Sequence, residues 1–99
     1  MSNETFGDYI RKAREAMSLP LRKVAAHLDI DTSTLSKVER ADRSASPDYL
    51  KPIAEILQLD LKEVQSKFIA DKIKKDFGDM EHLTDGLKAA ELQIKKKKK

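Results

Sequence analysis

The stretch LRKVAAHLDIDTSTLSKVER, residues 21–40, decides how this chain folds. Apolar residues in its first half recur at helical spacing, and its second half places Leu35 and Val38 on one helical face. Asp29 stands between the halves, where a left-handed backbone would make a tight turn, and Asp tolerates that conformation better than most residues. Asp31 can cap the second helix. The stretch therefore predicts two short helices joined by a tight turn.

Hydroxyl side chains are concentrated in the second of these helices. Four of the eleven Ser and Thr residues of the chain lie between Thr32 and Ser36. Ser and Thr are mediocre helix formers, because their hydroxyls compete for backbone hydrogen bonds. They lie opposite Leu35 and Val38, so the sequence places small hydrogen-bonding groups on the solvent side of this helix.

Helical periodicity continues before this pair, and no run alternates as a strand would. Apolar residues from Phe6 to Met17 recur at steps of three and four, which predicts a first helix over residues 5–17 with Thr5 as its cap. Pro20 suits the start of the helix that follows. The pattern as a whole indicates an all-α chain.

Capping signals predict two further helices after the pair. Ser46 and Pro47 mark the start of a fourth helix, in which Pro52 is expected to cause a kink or a delayed start. Asp60, followed three residues later by a Glu, resembles a capping box for a fifth helix. Gly78 ends that helix.

The last segment carries apolar residues at heptad spacing, which we call the C-terminal seam: Met80, Leu83, Leu87, Ala90 and Ile94. Two heptads are too few to predict a coiled coil. The seam can pack on its own domain or contact a second copy, and both interpretations stay open. The predicted division is a helix-turn-helix domain over residues 1–77, a helical extension over 78–94 and a basic tail over 95–99.

Composition excludes several classes of protein. The chain has no Cys, which rules out disulfides and thiolate metal sites. It shows no signal peptide and no apolar run near the roughly 20 residues that span a bilayer, so we expect a cytoplasmic protein without membrane association. The net charge of +3 comes from five terminal lysines, since the other residues carry 15 basic and 17 acidic groups, a net of −2. Any basic surface must therefore arise locally.

No catalytic or metal-binding pattern is present in the sequence. His27 and His82 lie far apart with no metal-like spacing, so a zinc site is not expected. The Ser cluster has neither a partner His nor a Gly-rich elbow, and no Gly loop could cradle a phosphate. We expect no enzymatic activity, no cofactor, no metal and no small-molecule ligand.

Over residues 5–70 the chain resembles the Xre/Cro-like helix-turn-helix family, the phage-repressor type of DNA-binding domain. The resemblance rests on IRKARE (10–15), on residues 21–40 and on SPDYLKPIAEIL (46–57). It implies a compact five-helix repressor-type domain, here with an additional C-terminal helix. Two positions depart from the family pattern. Asp29 replaces the usual Gly, and Leu21 stands where the family often has a Gln that helps to contact DNA phosphate.

The resemblance also implies a role for each polar residue of the third helix, residues 31–39, which would enter the major groove of double-stranded DNA. Its base contacts would come from five residues: Thr32, Ser33 and Lys37, with Thr34 and Ser36 nearby. Thr and Ser can donate or accept, and Lys can donate to guanine. None of these side chains encodes one base uniquely, so no operator sequence follows.

Other charged residues are expected to position the domain. Phosphate contacts would come from four basic residues, with simple solvation as the alternative: Arg22, Lys23, Arg40 and Arg43. In the family an Arg late in the first helix commonly pairs with a Glu at the end of the recognition helix. Arg14 and Glu39 stand at these positions, which predicts an ion pair that clamps the first helix to the third.

The predicted function is sequence-specific transcription regulation, as a repressor or controller that binds a palindromic operator as a homodimer. Dimer contacts would come from six apolar residues, unless these complete the monomer core: Phe68, Ile73, Phe77, Leu83, Leu87 and Ile94. Residues 19–40 also look like small regulators that control restriction–modification systems. The alternatives are an antitoxin-type autorepressor and a protein-interaction module that has lost DNA binding.

Overall fold

The computed structural model describes residues 4–97, and the regular secondary structure of this part of the chain is all helical, with no strand. The all-α prediction is therefore confirmed for these residues. A short 3₁₀ turn, Pro47–Tyr49, precedes the fourth helix. The α-helices of the described part are α1 Phe6–Ala16, α2 Leu21–Leu28, α3 Thr32–Glu39, α4 Leu50–Ile56, α5 Leu61–Phe77 and α6 Leu83–Lys97.

Helix α1 begins with the predicted cap. The Thr5 hydroxyl accepts a hydrogen bond from the Asp8 amide at 3.0 Å, and the Thr5 amide donates to the Asp8 carboxylate at 3.2 Å. Arg11 donates to the same carboxylate at 3.0 Å. The Thr5 backbone N–H, followed by Arg11, lowers the pKa of Asp8. Each of these hydrogen bonds favours the ionised carboxylate.

Stability should therefore depend on the ionisation of Asp8. Since its folded-state pKa is lowered, the contribution of the cap is complete above the unfolded value of about 4 and is lost as the pH falls through the folded value. We expect the wild type to lose more stability than Asp8→Asn between about pH 5 and about pH 2. Urea unfolding of both proteins across this range checks the prediction, and identical pH profiles would contradict it.

The core lies among α1 to α5. Leu35, Ile53 and Val64 are completely buried and come from α3, α4 and α5. The other buried apolar residues surround them: Phe6, Ile10, Val24, Ala25, Leu28, Val38, Ala45, Leu50, Ala54 and Leu57. Five helices thus share one small core, and this core fixes the inner face of α3.

The start of α4 shows how the chain accommodates Pro52. Ser46 caps the 3₁₀ turn by accepting from the Asp48 amide at 3.3 Å, and α4 begins only at Leu50. Pro52 is then the third residue of α4, in the first turn, where N–H groups have no partner within the helix. The predicted delay of the helix is confirmed.

The predicted capping box at α5 is wrong. Asp60 caps the helix by accepting from the Lys62 amide at 3.0 Å. Glu63 instead accepts a hydrogen bond from the Tyr9 hydroxyl at 2.8 Å, which links α5 to α1. Burial, followed by this hydrogen bond to Glu63, raises the pKa of Tyr9 above its ordinary range.

The C-terminal part of the described chain lies outside the core. Val64 is the only buried residue of α5, and no described side chain of α6 is buried. The radius of gyration is 15.1 Å, against about 13 Å for a compact domain of this length. Helix α6 continues through Lys95 to Lys97, so the predicted basic tail begins as helix, while residues 98–99 lie outside the described part. None of the helices within residues 4–97 is long and apolar enough to cross a membrane.

Candidate nucleic-acid interface

Helices α2 and α3 are held at a fixed angle by a tight turn and a buried contact. Asp29 has φ 58° and ψ 45°, the left-handed conformation that its position predicts. The Ile30 amide then donates to the Ala25 carbonyl at 3.0 Å. Ala25 is 1% exposed where the helices cross, so a larger side chain has no room there. These contacts present the outer face of α3 to solvent.

The outer face of α3 carries the predicted base-contact residues. Thr32, Ser33 and Lys37 are exposed, and Thr34 and Ser36 are half-buried beside them. Every one of the five therefore reaches solvent, while the opposite side of the helix is buried. Because the inner face of α3 is packed in the core and its outer face is polar and accessible, α3 can enter a groove of a partner while the domain stays folded.

The first turn of α3 differs from its prediction in one respect. Asp31 occupies the N-cap position in an extended conformation, but its side chain accepts no hydrogen bond from the helix. The position of Asp31 was predicted correctly and the capping bond was not. A shallow polar depression opens here, and Arg43 lies on its rim together with Thr34 and Tyr49.

The predicted phosphate-binding residues are in two different states. Arg22, Lys23 and Arg43 are exposed and form no salt bridge with any residue of the described part. Arg40 pairs with Asp42 at 3.3 Å, and both side chains are more than 60% exposed. Such exposed pairs contribute about 0–1 kcal/mol, so Arg40 can exchange Asp42 for a phosphate at little cost.

The structure brings Arg14 and Glu39 together. Arg14 donates to both carboxylate oxygens of Glu39, through Nε at 2.7 Å and Nη2 at 3.0 Å. Its remaining nitrogen, Nη1, donates to the Leu19 carbonyl at 2.9 Å. The side chains are only 13% and 6% exposed. One guanidinium thus connects α1, the segment before α2 and the last residue of α3, and the hydrogen bond to Glu39 raises the pKa of Arg14.

A family model described as helix-turn-helix matches residues 10–64, which is more than half of the 99 residues. The chain belongs to the helix-turn-helix family. The match extends from Ile10 of α1 to Val64 of α5 and includes the α2–α3 pair with its clamp. It places the chain among the Xre-like DNA-binding transcription regulators. Comparisons with curated proteins and with solved structures found no match.

Gly7 of this helix-turn-helix protein is a residue that sequence reasoning missed. A Cβ atom at this position would lie 2.5 Å from the Glu39 carbonyl oxygen and would also overlap the Val38 carbonyl. Helix α1 therefore approaches the backbone of the last turn of α3 too closely for any side chain. A lone Gly in the first turn of a predicted helix was the available signal, since Gly is unfavourable inside helices.

The predicted dimerisation residues lie in different surroundings. Phe68 is half-buried and stacks edge-on against Phe6 of the core, with the ring centroids 5.5 Å apart. The others lie further along α5 or on α6. Four of them line an apolar groove between α5 and α6, which we call the C-terminal groove: Ile73, Phe77, Leu83 and Leu87. Ile94 is 57% exposed further along α6. The structure thus separates Phe68 from the rest.

Histidine and carboxylate side chains form no metal site in the described residues. His27 lies on the surface of α2, where its Nε2 is 3.4 Å from the Glu55 carboxylate. His82 is near Asp85 and Glu81 in an exposed position. Both histidines therefore belong to the surface of the regulator.

Proposed function

We propose that this regulator binds a palindromic operator as a homodimer and acts by occupancy, as a repressor or controller. The observation that carries the proposal is that α3 has one buried face and one exposed polar face. Leu35, Val38 and Glu39 fix its inner face in the core. Its outer face offers only short hydroxyls and one lysine to a partner.

These outer side chains suit the major groove of double-stranded DNA. Thr32 and Ser33 lie in the first turn of α3, which is the part of a recognition helix that contacts base edges. Lys37 is one turn further along and can donate to guanine O6 and N7. Short hydroxyl side chains let the helix approach the base edges closely.

Basic residues on both sides of α3 would fix the register on the backbone. Arg22 and Lys23 lie at the start of α2, and Arg43 lies beyond the end of α3 and lines the same depression as Thr34. Arg40 would join them after leaving Asp42. Contacts of this kind carry no sequence information but set the orientation of the recognition helix.

Two copies are needed because one recognition helix reads only a few base pairs. A twofold dimer places two such helices about one helical turn apart, so its operator is palindromic. The apolar residues exposed on α5 and α6 supply a surface for the second copy, among them Phe77 and Leu87.

The proposal is tested by gel-shift with the DNA upstream of the protein's own gene and with randomised DNA. We expect sequence preference and an affinity that falls steeply with salt, since each phosphate contact releases counterions. Absence of binding at low salt would overturn the proposal. Equal binding to all sequences would leave a DNA-binding protein without operator recognition.

Two substitutions should separate base contacts from phosphate contacts. Lys37→Ala is expected to weaken operator binding by about 1–3 kcal/mol and to relax specificity at one position. Arg43→Ala should weaken binding similarly on all sequences and reduce the salt slope by about 1. Titrations on operator and random DNA at several salt concentrations measure both effects. Lys62→Ala on α5 is the matched control, and an equal loss in all three variants would contradict the assignment.

A further inference from the structure

An apolar surface lies at the C-terminal end of the part of the chain that the structure describes. The C-terminal groove presents a mostly apolar surface from α5, α6 and the turn between them, and Glu81 and His82 of that turn also line it. Phe77 is 45% exposed, Leu87 41%, Leu92 64% and Ile94 57%. The domain core is complete without them, because it is built from residues up to Val64 and Phe68.

Helix α6 also lacks enough support from its own chain. It has 15 residues, a length at which an isolated helix is only marginal in water. Gly86 lowers its stability further, by about 1 kcal/mol. A Cβ atom at Gly86 would meet nothing within 4 Å, so nothing in this chain requires Gly there. A partner that packs closely on α6 would explain both the Gly and the helix.

Charged side chains are distributed unevenly along the segment of residues 79–96, which comprises the turn before α6 and α6 itself except its last residue. Its N-terminal end is acidic, with exposed carboxylates at Asp79, Glu81 and Asp85. Its C-terminal end is basic, with exposed ammonium groups at Lys95 and Lys96. The pair between Lys95 and Glu91 at 3.6 Å is exposed, and such pairs are weak, so these lysines stay available to a partner.

We propose that α6 pairs antiparallel with α6 of a second copy, so that the acidic stretch leading into α6 of each copy, residues 79–85, meets the basic end of the other. This deepens the proposed homodimer and rests on it. A parallel pairing would place like charges together at both ends, which is unfavourable. In an antiparallel pairing, opposite charges meet at both ends. Both copies then use the same surface patch, as a twofold interface requires.

The apolar pattern of α6 fits the same arrangement. The C-terminal seam begins at Met80, just before α6, and has its midpoint at Leu87, so reversing its direction places Leu87 opposite Leu87 and Ile94 opposite Met80. Ala90 follows Gly86 by one turn on the groove side, so these two small residues lie on the same face of α6. Ile94 of one copy would then cover the C-terminal groove of the other. Lys95 then becomes part of the dimer contact.

Charge exchange tests the orientation in the absence of DNA. We expect Lys95→Glu to weaken the dimer about tenfold at low salt, because Lys95 flanks the seam and the change places carboxylates against carboxylates at both ends of the pair. Adding Glu81→Lys in the same chain should restore the dimer. Sedimentation equilibrium at low and high salt measures the dissociation constants. The same charge change on the body of the protein, Lys51→Glu, is the matched control.

Cross-linking provides a second test, since the chain has no Cys of its own. In an antiparallel pair Leu87→Cys lies near its copy and should form a disulfide under mild oxidation. Ile94→Cys would lie roughly 20 Å from its copy, from a rise of about 1.5 Å per residue, which is too far for a disulfide. Efficient cross-linking through Ile94→Cys would overturn the antiparallel arrangement while leaving the homodimer intact. A wild-type chain that stays monomeric at tens of micromolar would overturn the homodimer itself, and then a different protein would cover the groove.

Discussion

Arg14→Ala is expected to destabilise the domain by about 3–5 kcal/mol, a large part of the roughly 5–15 kcal/mol that holds a small protein folded. The substitution removes three hydrogen bonds and leaves the Glu39 carboxylate with a 6% exposed side chain and no cation beside it. An uncompensated buried charge is more costly than the loss of the pair itself. Thermal unfolding should show a midpoint lowered by more than about 12 °C.

Companion variants distinguish this clamp from ordinary packing. Arg14→Lys keeps the charge but cannot reach both oxygens of Glu39 and the Leu19 carbonyl at once, so it should recover only part of the loss. The double variant Arg14→Leu/Glu39→Leu removes both charges and should be more stable than Arg14→Ala. A loss below about 1 kcal/mol for Arg14→Ala would show that the pair is solvated and contributes little.

The clamp also connects stability to recognition. Glu39 is the last residue of α3, and Lys37 lies two residues before it on the exposed face. Without the Arg14–Glu39 pair, the end of α3 is no longer held against α1. The exposed face of α3 would then change its angle relative to Arg22 and Lys23 of α2, the proposed phosphate-binding residues. The Arg14 variants that stay folded at low temperature should therefore lose operator affinity, although neither Arg14 nor Glu39 is exposed enough to contact DNA.

Features of the fold with local causes could be predicted from the sequence. The Thr5 cap depends on residues three positions apart, and the turn at Asp29 depends on a conformation that Asp tolerates. The apolar spacing of α2 and α3 fixes which faces are buried. The polar outer face of α3 follows from the same spacing, whereas its role as a nucleic-acid interface was predicted from the resemblance to a DNA-binding family.

Other features depend on partners that are distant in the sequence. Ser18, Ala41 and Gln58 all have positive φ where helices end, but no Gly marks these positions. Glu63 has capping-box spacing from Asp60 and yet contacts Tyr9, because packing α5 on α1 brings a hydroxyl within 2.8 Å. Periodicity shows that a helix has an apolar face but does not show what covers it, and this left the location of α6 open.

Gly7→Ala is the second substitution with a large expected effect. The added methyl would overlap the carbonyl groups of Val38 and Glu39. These are backbone atoms in the last turn of α3, so they cannot move away by a change of rotamer as a flexible side chain can. Overpacking of this kind destabilises by about 1–3 kcal/mol and occasionally more. Ala is better than Gly in a helix by about 1 kcal/mol, so the clash has to exceed that gain before any loss is observed. We expect the cost of the clash to exceed the gain in helix propensity, because relieving the overlap moves α1 away from α3 and also stretches the Arg14–Glu39 pair.

Gly86→Ala is the matched control, since it makes the same change inside another helix of the same protein. Nothing lies within 4 Å of the added methyl in this chain, so only the helix propensity changes and α6 should become more stable. Fluorescence of Tyr9 and Tyr49, which both pack against the core, follows unfolding of the domain in dilute protein. The midpoint should fall for Gly7→Ala and stay constant or rise for Gly86→Ala. Equal midpoints would mean that α1 can shift on α3 without loss, and the close approach at Gly7 would then not be what fixes the recognition helix.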